Sequence, residues 1–359
     1  MVYPKIILRH PYGCLFLFMF VRNLTPLSHM ERSLAADIIK TLSIFGVVFI
    51  HGSSFACNYE ISNILTQAFR FCVPCFILIW AFLLERSLLK KNKEEQYKHL
   101  KSRFIHLFKV FIIWSVVYFL MLVNWKEITP LKLITMHFSG SGWAGQYFFI
   151  ILFQLILFYP LIRWLYGIKI LRYASFIGVL LIYSVYYYLH YINSMPIILS
   201  KIGERPFIFW LPYVFIGIGL ARNEVIRLPL WSCIALFLIP IEAYITGTDS
   251  GFPYLYFSIL ISSIIFCVSL LQSNIPSGKN FLSKSLLYIG SNTMTIFVSN
   301  PIIIMGLSLF DLSILQNTFF CESSTGKIII SFTSVIVIML LGLLLAEIIK
   351  KIRLNGTLN

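Results

Sequence analysis

The chain has 359 residues, 58% of them apolar and only 12% charged, with a mean hydropathy of +0.85, whereas soluble domains carry about a quarter charged residues. This excludes an ordinary soluble globule. It also excludes disordered, collagen-like and disulfide-scaffold classes, because the apolar residues recur in runs of about twenty, the length that crosses a bilayer core as a helix. The formal charge of +15 would suggest nucleic acid in a soluble protein, but here its placement argues for topology instead.

At the amino end, residues 1–29 read as an upstream extension or a loosely attached interfacial piece, without chemistry. The run Gly13–Val21 is too short to span, no small-residue cleavage site follows Lys5 and Arg9, and Met30 opens a fresh start directly before the first good span. Residues 30–359 read as one all-α, polytopic membrane domain with ten spans, at approximately 38–57, 65–84, 104–124, 146–162, 174–190, 207–221, 229–245, 253–272, 287–310 and 328–349. The connections 85–103, 163–173, 222–228, 273–286 and 350–359 carry seventeen Lys and Arg, and the opposite ones carry five. The positive-inside rule then places the first set and the carboxyl terminus in the cytoplasm. Most of the basic excess is thereby accounted for by topology and attraction to anionic lipid, with no nucleic-acid partner.

Ionisable residues inside spans are expensive and mark functional candidates. In the first span, ADIIKTLSIFGVVFIHGSSF, eleven residues separate Lys40 from His51. That turns an α-helix through three full turns plus about 20° and advances it about 16 Å. Lys40 at the inner mouth and His51 deep in the membrane therefore share one line, with Asp37 within about 40° of it. The line suits a channel-facing stripe with a cation for an anionic ligand and an imidazole for moving a proton. A snorkelling lysine and a histidine hydrogen-bonded to a neighbouring helix would give the same pattern. Of the other histidines, His99 and His106 fall at the cytoplasmic loop or its edge, His137 and His190 at outer ends, and His10 and His29 before the first span. Cysteines 14, 57, 72, 75, 233, 267 and 321 lie mostly within spans. Although Cys72 and Cys75 have C-x-x-C spacing, they flank Pro74 in an apolar helix and read as small buried hydrophobes.

Taken in order, these segments resemble the acyltransferase-3 family of integral membrane O-acyltransferases. Lys40 and His51 resemble its basic-X10-His motif. The run Ala68–Ile77, AFRFCVPCFI, resembles its second-span motif with Arg70 and Pro74 in place. Lys101–Trp114 resembles its basic entry to span three, and Gln146–Ile162 its aromatic fourth span with Pro160 near the end. The resemblance runs from about Arg32 to the carboxyl end. It departs at Trp80-Ala81, where Ser-Gly is frequent, at His106, where a second Arg is usual, and at Asn300, where a second histidine is expected.

The resemblance implies a multi-pass protein of the bacterial cytoplasmic membrane that moves an acetyl or other short acyl group from cytoplasmic acetyl-CoA or another acyl-CoA to a hydroxyl of a cell-envelope glycan. His51 would be the general base or transient acyl carrier. Arg70 would pair with Glu242 or Asp311, or polarise the acyl carbonyl. Lys40, with Lys98, Lys101, Arg103, His106 and Lys109, would hold the donor's phosphates, and no metal is required. Membrane lipid is a further partner, and self-association into a homo-oligomer is compatible with this reading. Two other functions fit the same residues: export of a polysaccharide or lipid-linked glycan, and a catalytically inactive family member serving as an assembly subunit.

Overall fold

The computed structural model describes residues 33–53, 60–122, 129–192, 194–246, 253–273, 275, 280–308 and 323–355. The expected amino-terminal extension and Asp311 lie outside these residues. The described residues are predominantly helical and include no strands. The helices are α1 (Leu34–Gly52), α2 (Glu60–Ala68), α3 (Cys72–Leu88), α4 (Lys93–Leu122), α5 (Pro130–Phe138), α6 (Gln146–Gly167) and α7 (Lys169–Tyr191). They continue as α8 (Ile197–Ile202), α9 (Leu211–Ala221), α10 (Leu238–Thr246), α11 (Phe257–Gln272), α12 (Phe281–Ser308) and α13 (Ser324–Asn355).

Seven of the ten expected spans appear as helices long and apolar enough to cross a membrane. The other three, Phe207–Ala221, Leu230–Thr246 and Phe257–Gln272, are shorter apolar helices. The first two begin as 3₁₀ helix, over Phe207–Trp210 and Leu230–Phe237, each after a proline that cannot donate to a preceding turn. The tighter helix rises farther per residue. Eight 3₁₀ residues advance about 16 Å and the nine α residues of α10 about 14 Å, together close to the thickness of a hydrocarbon core.

The bundle is built around α1, which packs against α3, α11, α12, α13 and the 3₁₀ turn Phe69–Phe71. The Ser33 side chain caps its start, accepting from the Ala36 N–H. Small residues bring the helices together. A Cβ on Gly46 would lie 2.9 Å from the Cys72 Cβ, and one on Gly217 would lie 2.6 Å from the Leu78 carbonyl and 2.8 Å from the Ala81 Cβ. Without a hydrophobic force between helices in lipid, such close contact supplies the packing energy. Ala81, a departure from the family pattern, is thus the partner of Gly217 where α3 crosses α9. Cys72, Cys75 and Cys267 are fully buried in this core. By contrast α4 and α7 are peripheral, their apolar faces left for lipid.

The connections expected on one side of the membrane gather at one end of the bundle. There Glu85 of α3, fully buried, accepts from Arg163 Nε of α6 at 3.0 Å, Arg222 Nη2 at 2.8 Å and the Tyr159 hydroxyl at 3.2 Å. Trp80, the other member of the departing pair, meets the Tyr159 ring edge to face. Arg163 also donates to Gln96 of α4 at 2.7 Å, and Arg172 of α7 to Glu224 at 3.0 Å. This is called the basic end below.

Candidate active site

The lysine and the histidine of α1 stand on one unbroken helix. At the basic end Lys40 forms an ion pair with the buried Asp37, one helical turn before it. Helix α12 closes over this pair: a Cβ on Gly290 would lie 2.7 Å from Asp37 Oδ1, and Thr41 Oγ1 donates to the Leu286 carbonyl at 3.2 Å. The Lys40 side chain remains 21% exposed, so its charge is partly balanced yet accessible.

His51 lies three turns farther along, in the last turn of α1 and half-buried. The end of the helix is fixed by its neighbours, since the Ser331 hydroxyl of α13 donates to the Ser53 carbonyl at 2.8 Å. Phe45, Phe49, Phe69 and Phe332 interlock beneath it with ring centroids 4.4–6.3 Å apart. The charge acting on His51 is that of Arg70. Arg70 is held in the 3₁₀ turn between α2 and α3, the turn that packs against α1. The structure therefore packs the turn that carries Arg70 against the helix that ends at His51.

The surroundings of Arg70 differ from expectation. Its guanidinium lies over the Tyr254 ring, 5.2 Å from the centroid. The Tyr147 hydroxyl donates to the Tyr254 hydroxyl at 3.2 Å. The carboxylate acting on Arg70 is Glu204, from the segment between α8 and Phe207. Glu242, the expected partner, instead accepts from the Ser258 N–H at 2.7 Å, which satisfies the unpaired start of α11. Burial pushes the Glu204 carboxyl up to about 6, against the downward pull of its backbone hydrogen bond and of Arg70 and Arg205. Arg70 Nε has no hydrogen-bond partner among the described residues.

Tyr147, Glu204 and Tyr254 are thus the functional candidates that sequence reasoning missed. Tyr147 follows Gln146 in the aromatic fourth-span motif, and Glu204 is an acidic residue in a short connection before Pro206. Those are weak signals, because only the fold sets residues 70, 147, 204 and 254 around one point. Beside this group, Gln146 ties the connection 139–145 to the bundle. Its Nε2 donates to Ser115 Oγ at 3.0 Å and pairs with His137 Nδ1 at 2.8 Å, while its Oε1 accepts from the Gly142 N–H at 2.6 Å. Asn300, standing where a histidine is expected, is buried and donates to the Phe297 carbonyl at 2.6 Å.

The remaining basic candidates do not converge. Lys101 and Arg103 are two residues apart on α4, so they point about 200° from each other. Lys101, His106 and Lys109 are exposed, Arg103 is half-buried, and Lys98 pairs with Glu94 at 2.6 Å. At this end α4 packs on α6 rather than on the helix of Lys40.

The profile of the acyltransferase-3 family, described as an acyltransferase domain, matches residues 34–349. No curated protein and no solved structure matches the chain.

Proposed function

Because this chain belongs to the acyltransferase-3 family and is a membrane acyltransferase, we propose that it passes an acetyl or similar short acyl group from a cytoplasmic acyl-CoA to a hydroxyl of a cell-envelope glycan. The observation that carries this reading is that the turn holding Arg70 packs against the central helix that ends at His51, with Lys40 accessible at that helix's other end. In this reading the basic end faces the cytoplasm. The exposed Lys101, His106 and Lys109 and the half-buried Arg103 contribute a positive field that attracts the polyanionic donor, while Lys40 makes the direct phosphate contact. The donor's long arm then carries its thioester along α1 toward His51.

His51 takes the proton of the acceptor hydroxyl as that oxygen attacks the thioester carbonyl carbon. The carbonyl oxygen becomes an oxyanion, and it accepts from Arg70 Nε, a buried donor without a partner among the described residues. Collapse breaks the carbon–sulfur bond, the new ester forms, and the imidazolium returns its proton to the departing thiolate. Tyr254 and Tyr147 hold the guanidinium in place, and Glu204 offsets its charge.

The test is the wild-type protein reconstituted in nanodiscs with acetyl-CoA and envelope glycan. Free thiol should accumulate and the glycan should gain the mass of one acyl group. Glycan translocation without thioester consumption would replace this reading with the export reading.

A further inference from the structure

A cleft of about 480 Å³ lies at the basic end, between α4 and α6, away from the His51 site. Its polar wall comprises Lys93 and Gln96 of α4 and Arg163 of α6, and its aromatic wall Tyr97, Tyr159 and Trp164. Behind the cleft, Arg163 shares the single buried carboxylate of Glu85 with Arg222, so this carboxylate does not balance the Arg163 charge alone. Lys93 at the rim adds another.

The cleft is closed toward the middle of the membrane. One turn beyond Leu100, the rings of Phe104 and Phe153 meet at 5.3 Å, and Phe108 and Phe111 also pack on Phe153. A long flexible donor entering here would not be led toward α1. Sideways the cleft is open. Tyr97 and Trp164, 69% and 56% exposed, stand at its edges. From Tyr97 the exposed residues Ile105, Phe108 and Ile112 continue up α4, and from Trp164 the exposed Leu161 and Leu157 continue up α6. Amphipathic aromatics at the foot of two apolar stripes mark the level of the lipid headgroups.

We propose that this cleft binds the phosphate headgroup of an anionic phospholipid from the leaflet at the basic end. The phosphate sits between Lys93 and Arg163, and the acyl chains lie along the exposed faces of α4 and α6. The assignment is independent of the acyl-transfer site. Through Arg163, a bound headgroup would reinforce the Glu85 contacts that join α3, α4, α6 and the end of α9.

The experiment uses the full chain in nanodiscs containing either phosphatidylcholine alone or phosphatidylcholine with phosphatidylglycerol, with retained lipid read by native mass spectrometry. Phosphatidylglycerol should be retained selectively. Lys93→Ala should weaken that retention about fivefold, as expected for one cation near an anionic surface. Lys169→Ala, which removes an exposed cation from the start of α7, should leave it unchanged. Brominated phosphatidylglycerol should quench tryptophan fluorescence more than brominated phosphatidylcholine does, and Trp164→Phe, which replaces one exposed indole without disturbing the core, should abolish most of that difference in quenching. Equal losses in Lys93→Ala and Lys169→Ala would overturn the proposal, as would a difference in quenching unchanged by Trp164→Phe. Displacement of the lipid by soluble adenosine 3′,5′-bisphosphate would overturn it in favour of a nucleotide phosphate site.

Discussion

At the scale of single residues, the proposed chemistry rests on His51 and on the half-buried Arg70. Replacing His51 with Gln retains a hydrogen-bonding side chain but removes the proton acceptor. Turnover should therefore fall by about 10²–10⁴, the usual contribution of a general base, while donor affinity stays near wild type. Single-turnover acyl transfer and donor binding, measured on the same preparation, check this. A Gln variant that turns over normally would remove His51 from the reaction. Glu204 gives a second prediction, visible in stability. Its carboxyl titrates near 6 in the folded protein, above its ordinary value, so the folded state holds the proton more tightly than the unfolded chain does. The resulting stability is fully present below about pH 4.5 and is lost as pH rises through about 6, a change on the order of 2 kcal/mol. The groups acting on it are Arg70, Arg205 and its own backbone. Between pH 4.5 and 7 the Tm of Glu204→Gln should drift upward relative to wild type. Parallel curves would show that Glu204 does not titrate in this range.

At the scale of elements, the basic end depends on a buried carboxylate serving two arginines. Glu85 has no exposed surface, and its partners come from α6 and the end of α9. Glu85→Gln would leave Arg163 and Arg222 facing each other across a neutral amide, and uncompensated buried charge of this kind costs about 3–5 kcal/mol. Denaturant unfolding in detergent should show that loss, and Glu85→Asp should recover part of it. A Gln variant as stable as wild type would mean that the arginines reach water. The 3₁₀ segments are another property of elements. Hydropathy identifies 229–245 as a span but not the helix type of its first half, a 3₁₀ segment that follows Pro229 and packs against α11.

At the scale of the whole molecule, the proposed orientation predicts ten crossings with residue 359 and the α3–α4 connection in the cytoplasm. Alkaline phosphatase fused after residue 359 should be inactive, and a tag at Asn92 should be reached only after the membrane is opened. An active fusion would invert the bundle and place His51 near the cytoplasm.

The sequence by itself determined the class, the approximate position of every span, the gathering of basic connections at one end and the shared line of Lys40 and His51. Each of these follows from periodicity or composition along a continuous stretch of chain, which hydropathy and helical geometry read directly. The resemblance in ordered motifs carried the family, and the match over residues 34–349 agrees with it. Tertiary structure alone decided what faces what. It closed α12 over the Lys40–Asp37 pair, and gave Arg70 the company of Tyr254, Tyr147 and Glu204 instead of Glu242. The reason is physical: in a membrane bundle every span offers similar apolar surface. Which helices become neighbours is set by close contacts such as Gly46 on Cys72 and Gly217 on Ala81, and by buried polar groups finding partners across scores of residues.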